Sequence, residues 1–287
     1  MGRRGVSARR ACQLLGLSRR WLSYESRRKD PDLTELLQEL ARRYPRFGYR
    51  RLHQMLLRKK VKVNVKRVRR LCVVLGLKLP LRRKKKRRGK GVKMPVLAEY
   101  PNHVWAYDFV FDWSESGRQL KFLTVEDEFT RECLAIEVDH RMGAREVCGV
   151  LLRLMHERGV PAFVRSDNGP EFIARSLLRM LAVKGAECRH IDPGSPWQNG
   201  KNERFNGIFR DECSNMETFH HRDHARAVCR LFVRHYNQER PHSSLGWRTP
   251  AEFSRRPPMA AAGSVVSGWN VPSPAAAMGG RPVSGRG

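Results

Sequence analysis

With 287 residues, 40% of them hydrophobic, the chain can bury one large core or two smaller ones, and this excludes a disordered polymer. Lys and Arg number 57 against 28 Asp and Glu, and the net charge of +29 points to a polyanionic partner, since such self-repulsion is otherwise costly. No apolar run reaches the length of a membrane span, the N-terminus has no signal-peptide core, and the seven scattered cysteines form no C-x-x-C pair; the expectation is a cytoplasmic, nucleoid-associated protein with reduced thiols and no membrane partner.

Residues 1–100 hold 32 of the Lys and Arg but only 6 of the acids, so the front grips phosphates and the nearly neutral remainder does something else. Adsorption to a membrane surface is the blander reading, and no amphipathic helix with a broad apolar face supports it. "SARRACQLLGLSRRWLSYESRRK" reads as two short helices, with Ser7 and Ser18 as caps and Gly16 at the turn, the plan of a helix-turn-helix. "DPDLTELLQELARRYP" predicts a third helix, with Leu33, Leu36, Leu37 and Leu40 at helical spacing and Asp32 and Glu35 as a capping box. The two-helix plan returns at residues 47–77, with Leu52, Met55 and Leu56 on one apolar face and Val68, Leu71, Cys72 and Leu75 on the next, Asn64 as cap and Gly76 at the end. Lys66, Arg67, Arg69 and Arg70 on the last helix, with Arg50 and Arg51 on the one before it, are the expected DNA contacts.

The boundaries predicted are a helix-turn-helix region at 1–78, a basic linker at 79–99, a second domain at 100–253 and a low-complexity Pro/Gly/Ala/Ser tail at 254–287. From Tyr100 the pattern turns to strands. "VWAYDFVFDW", "LKFLTVEDEF" and "LAIEV" predict an antiparallel meander, and a helix follows from about Ala144 to Arg158. "AFVRSD" is a fourth strand, then a helix through Lys184, then "ECRHI" as a fifth strand. "PGSPWQNGKNERFNG" opens the next helix, with Ser195 as cap and Pro196 at the first position. The fold class expected is α/β, a mixed five-stranded sheet with flanking helices, preceded by an all-α region.

Asp108 lies within the first strand, Asp167 directly follows the fourth, and Glu203 sits on the helix after the fifth. Strand ends beside a helix face a cleft in such sheets. Three anions gathered there repel one another unless hard cations intervene, so Mg²⁺ (or Mn²⁺) is expected, in two ions about 3.5–4 Å apart suited to in-line phosphoryl transfer. The polar start of the last helix fits a wet cleft. Glu212 is the rival to Glu203, but nine residues at about 100° each put the two on opposite helix faces, roughly 13 Å apart. Asp112, Glu126 and Asp127 compete for a sheet-edge role, Asp167 could serve an Asx turn alone, Asp192 and Glu171 could support the site, and His103 and His190 read as core or surface histidines. No His/Cys spacing suggests zinc.

"WAYDF", "TVEDEFTRECLAIEVD", "RSDNGPEF", "PGSPWQNGKNERFNG", "RDEC" and "YNQERPHSSLGWRTPAEF" follow one another in this order, and together they resemble the catalytic protein of bacterial insertion sequences of the IS-three family, from about Ser7 to Phe253. The resemblance implies a ribonuclease-H-like integrase core, similar to retroviral integrases, whose two Asp and one Glu bind divalent metal; matched residue by residue, these are Asp108, Asp167 and Glu203. It also implies a first-frame partner carrying a coiled coil, joined by ribosomal frameshifting, and this chain has no heptad stretch of its own. Lys201 and Arg204 beside the Glu are expected phosphate contacts. The reading is a DNA transposase acting on terminal inverted repeats and target duplex as a homo-oligomer. Two rivals stand beside it: an inactive DNA-binding repressor or architectural protein, and a nuclease that cuts without joining.

Overall fold

Residues 7–22, 31–80, 97–167, 169, 171–190 and 200–255 are described by the computed structural model. Most of the expected linker, 81–96, and the tail beyond 255 lie outside them. Ser7 Oγ accepts a hydrogen bond from the Arg10 amide (3.4 Å) and opens α1, Ala8–Leu14, while Gly16 at φ +63° turns the chain towards α2, Arg19–Leu22. Helix α3 spans Pro31–Arg43, so the Asp32–Glu35 capping box is not formed: Pro31 takes the first helical position, and Asp32 falls inside the first turn. The proline's fixed φ and missing N–H suit that place.

Helices α4, Tyr49–Arg58, and α5, Val65–Val74, follow, and Asn64 Oδ1 accepts from the Lys66 amide at 2.8 Å to cap α5. Leu37, Leu40, Leu52, Leu56, Val68 and Cys72, from all three helices, form one buried core. At about 1.5–3 kcal/mol for each large aliphatic side chain, this core holds the three helices as a unit.

The sheet runs in the order β3-β2-β1-β4-β5. Strands β1 (Val104–Trp113), β2 (Gln119–Asp127) and β3 (Cys133–Asp139) form the antiparallel meander; β4 (Phe163–Ser166) and β5 (Glu187–His190) add in parallel beyond β1. Period-two alternation sends Trp105 and Tyr107 into a core shared with α6 (Ala144–Arg158) and α7 (Arg175–Lys184), and Val110 into a second core on the other face, shared with α8 (Gly200–Glu212) and α9 (Arg222–Arg234). Strand β2, between β3 and β1, is buried from Leu120 to Asp127, as a strand covered on both faces must be. Helix α9 is an element the motif-based reading passes over, although Ala225, Cys229, Phe232 and Tyr236 repeat at helical spacing and are buried. A π-helical turn, His235–Glu239, and α10, Pro250–Arg255, complete the described chain.

The helical unit docks on this C-terminal region. Arg43 Nη2 (3.2 Å) and the Tyr44 hydroxyl (2.9 Å) donate to Glu239 Oε2, Tyr44 stacks on His235, Arg51 reaches Glu212 (3.2 Å), and Arg58 grips Glu252 with two bonds of 2.6 and 2.7 Å.

Candidate active site

The parallel pairing of β1 with β4 sets Val104 against Phe163, Trp105 against Val164 and Ala106 against Arg165. Carried on by two residues, the same offset puts Asp108 level with Asp167, on neighbouring strands about 4.8 Å apart. Strand β4 ends at Ser166, so Asp167 leaves the sheet where β1 continues and is exposed, while Asp108 is half-buried. Asp167 Oδ1 accepts from the Gly169 amide at 3.0 Å. A Cβ at position 169 would stand 3.1 Å from that oxygen and 3.3 Å from the Phe172 ring, so glycine keeps the turn tight.

Asp108 faces α8. Its Oδ1 accepts from the Phe109 amide and its Oδ2 from Asn206 Nδ2, both at 2.8 Å. Thr124, its cross-strand partner, places Oγ1 within reach of Asn206 Oδ1 (3.0 Å) and of the Asp108 carbonyl (3.2 Å). Asn206 therefore ties α8 to β1 and β2 at the carboxylate. Burial pushes the Asp108 carboxyl up to about 6; the negative charge of Asp167 pushes the same way, and the Phe109 amide, Arg210 and Asn206 oppose both. A half-buried carboxylate raised by burial and by a neighbouring negative charge in this way favours a divalent cation with oxygen ligands.

Glu203 lies on the first described turn of α8, one turn before Asn206, and is exposed. Among the described residues no three His, Cys, Asp or Glu side chains are grouped to hold a metal ion. The expected cap Ser195 and Pro196 lie outside the described residues. The polar start of α8 is only half turned to water: Glu203 and Arg204 are exposed, whereas Asn202 and Asn206 are buried.

The other acids are engaged elsewhere. Glu212 is buried at the far end of α8, gripped by Arg240 through two bonds of 2.7 Å and by Arg51. Asp112 accepts from the Ser214 hydroxyl, Glu171 pairs with Lys121, and Asp127 accepts from the Asn102, Phe129 and Thr130 amides. Glu126 is buried beside Arg131 and Lys201. His103 is a core histidine, accepting from the Glu99 amide and stacked on Tyr100. Asp192 lies outside the described residues.

Of the basic residues, Lys66, Arg67, Arg69 and Arg70 are exposed along α5, Arg50 is exposed and lies over the Tyr49 ring, and Arg204 is exposed on α8. Two have different employment from the phosphate contacts expected of them. Arg51 is committed to Glu212, and Lys201 is drawn in against the buried carboxylate of Glu128 (3.2 Å), which also holds Arg165. Thr124, set against Asp108 and Asn206, is a site neighbour that the sequence reading does not name.

Two models described as "Integrase core domain" match residues 98–196 and 184–250, and an "HTH-like domain" model matches 27–85. The chain is 43% identical over 255 residues to the insertion element IS407 uncharacterized 31.7 kDa protein of Burkholderia multivorans, covering 88% of this chain and 91% of that one. It is 26% identical to the transposase for insertion sequence element IS904 of Lactococcus lactis, over 73% of this chain and 88% of the other. The cryo-EM structure of the simian T-cell lymphotropic virus intasome with PP2A regulatory subunit B56 gamma superposes with a TM-score of 0.51 at 14% identity, covering 82% of this chain and 80% of that one. At that identity the likeness is one of fold, and the fold is the ribonuclease-H-like sheet of integrase cores behind a helix-turn-helix-like region.

Proposed function

The chain belongs to the insertion-element proteins that carry an integrase core, and on that premise we propose that it is a DNA transposase, cutting strands at the ends of its element and joining them to target DNA. The observation that supports the reading is that Asp108, held by Asn206 of α8 one helical turn from Glu203, feels the charge of Asp167 just beyond the neighbouring strand. A decayed DNA-binding protein has no use for a buried carboxylate kept beside a second one at a cost in solvation.

Asp108, Asp167 and Glu203 are the residues that would hold one or two Mg²⁺ (or Mn²⁺) ions, which when bound supply Lewis-acid stabilisation of attacking and leaving oxygens. Phe109 and Asn206 fix the Asp108 oxygens, and Gly169 fixes Asp167, so two ligands are oriented before substrate arrives. In the first step water attacks the phosphorus at an element end, and the 3′-oxygen leaves as a hydroxyl. In the second, that hydroxyl attacks a target phosphodiester, forming one P–O bond as another breaks, so no external energy source is needed.

The exposed cations of α5 are suited to hold the terminal repeats of the element, with Arg204 on the strand near the acids. Multimerisation on DNA, a first-frame partner supplied by frameshifting, and residence in the cytoplasm on the nucleoid belong to the same proposal; no helix among the described residues is long and apolar enough to cross a membrane. The division at 1–78, 79–99 and 100–253 is likewise proposed as one of binding unit, linker and catalytic core.

The test is incubation of the full chain, with and without the first-frame protein, on labelled duplex bearing the element's ends plus Mg²⁺, scoring nicks and joined strands. Metal-dependent cutting and joining are expected, and Asp108→Asn, Asp167→Asn and Glu203→Gln should each abolish both while leaving end binding intact. A variant that still cuts removes its residue from the triad; cutting without joining favours a nuclease.

A further inference from the structure

The turn between β2 and β3 is dense in charge, and all but one of its charged side chains is matched. Asp127 takes three backbone amides, Glu128 is buried against Arg165 and Lys201, and Glu132 receives two bonds of 2.9 Å from Arg158. Arg131 is the exception. Its guanidinium makes no hydrogen bond or ion pair among the described residues, and its backbone sits at φ +62°, where a side chain is strained and glycine is not. Strain retained at an unpaired charge is characteristic of ligand contacts.

Arg131 shares a small recess with Arg204 and Ser244, whose back is formed by Glu126 and Tyr236. Arg204 is exposed and also makes no ion pair among the described residues, whereas Lys201, on the same wall, is engaged with Glu128. The one acid in the recess does little to offset these charges. Glu126 is 2% exposed, one of its carboxylate oxygens has no partner, and burial pushes the group up to about 8 against the pull of Arg131, which favours its protonated form. His242 nearby is held neutral by burial and by the charges of Arg240 and Arg51. What is left is a recess with two unpaired guanidiniums and neutral hydroxyl donors, the chemistry of an oxyanion site.

We propose that Arg131, Arg204 and Ser244 form a subsite for a backbone phosphodiester of the DNA strand being cut, adjacent to the scissile one. This rests on the DNA-cleaving reading above. Glu203 and Arg204 are successive residues of α8, about 100° apart around its axis, so the acid lies towards the Asp108 flank while the guanidinium lies towards the β2–β3 turn. A strand whose scissile phosphate sits at the acids crosses the start of α8 and brings a neighbouring phosphate to the recess. Arg131 thereby supplies the contact that Lys201, already paired, does not.

The discriminating variant is Arg131→Gly, which relieves the backbone and removes the charge. In the full chain its thermal midpoint should equal or exceed that of the wild type, while affinity for a duplex bearing the element's end falls about tenfold at low salt, the loss of one charge-assisted contact. The slope of log affinity against log salt should become shallower by about 0.9, the value for one phosphate. Arg131→Lys should keep the slope, and Arg204→Gln should reproduce the loss. A single methylphosphonate walked along the strand beside the cut should weaken wild-type binding at one position and leave Arg131→Gly indifferent there. An unchanged slope in Arg131→Gly, with wild type binding normally, overturns the subsite alone. A wild-type chain with no affinity for the duplex overturns the DNA reading and the subsite with it.

Discussion

Replacing Arg240 by Met should unfold the chain at a markedly lower temperature, and adding Glu212→Met should restore most of the loss. The Arg240 side chain is 2% exposed and that of Glu212 6%, and the two exchange paired bonds of 2.7 Å, so each charge has given up its water for the other. Removing one partner of a buried pair costs about 3–5 kcal/mol, because the other is left charged and dry. Arg51 still offers Glu212 one bond at 3.2 Å, which returns about 1 kcal/mol, so the net loss is about 2–4 kcal/mol. At about 2–4 °C per kcal/mol for a domain of this size, the midpoint falls by about 5–15 °C. The double variant exchanges the pair for two apolar side chains of similar reach, a change that is commonly near neutral. Thermal and urea unfolding of wild type, both single variants and the double variant give the coupling energy directly, which should exceed about 2 kcal/mol. A double variant as unstable as Arg240→Met alone would refute the assignment of this pair as the interior lock on the end of α8.

His242, pushed down to about 2 by burial first and by the neighbouring Arg240 and Arg51 charges, stays neutral in the folded chain while the unfolded chain takes up a proton below about 6.5. Its contribution to stability is therefore complete above that pH and is lost on acidification at about 1.4 kcal/mol per pH unit. His242→Gln should flatten the stability–pH curve between pH 6.5 and 4.5 relative to wild type, and parallel curves would refute this. Gly169→Ala should displace Asp167, because the new Cβ meets its Oδ1 at 3.1 Å and the Phe172 ring at 3.3 Å; strand cutting should fall by about 100-fold with end binding unchanged, as a quantitative cleavage assay beside a gel shift would report.

The alternation of "VWAYDFVFDW" and the apolar density of "LKFLTVED" were enough to read the meander, because period two and burial on both faces are local properties of a strand. The two aspartates stand out less by position than by resemblance, since a strand acid and an acid in an "SDNG" turn are each open to blander readings on their own. What escaped was long-range. Arg51 is 161 residues from Glu212 and Lys201 is 73 from Glu128, and no local pattern distinguishes a cation that will meet a buried carboxylate from one that faces a phosphate. Arg131 escaped because its left-handed backbone follows from the Asp127-capped turn, which propensity alone does not reveal. Asp32 has the sequence context of a cap, but Pro31 competes for the helix start and takes it.

On the proposed reading, the docking of the helical unit bears on how an insertion element of this kind could change its ends. Arg43 ends α3, Tyr44 directly follows it, and Arg51 and Arg58 lie on α4; each meets a residue of the C-terminal region: Glu239, Glu212 or Glu252. A foreign reading head spliced onto this core would have to bring matching side chains at all four places or sit askew. If α5 reads the terminal sequence as proposed, a new sequence is most accessible by point substitution along the exposed face of α5, which leaves the seam intact, rather than by exchange of the whole module.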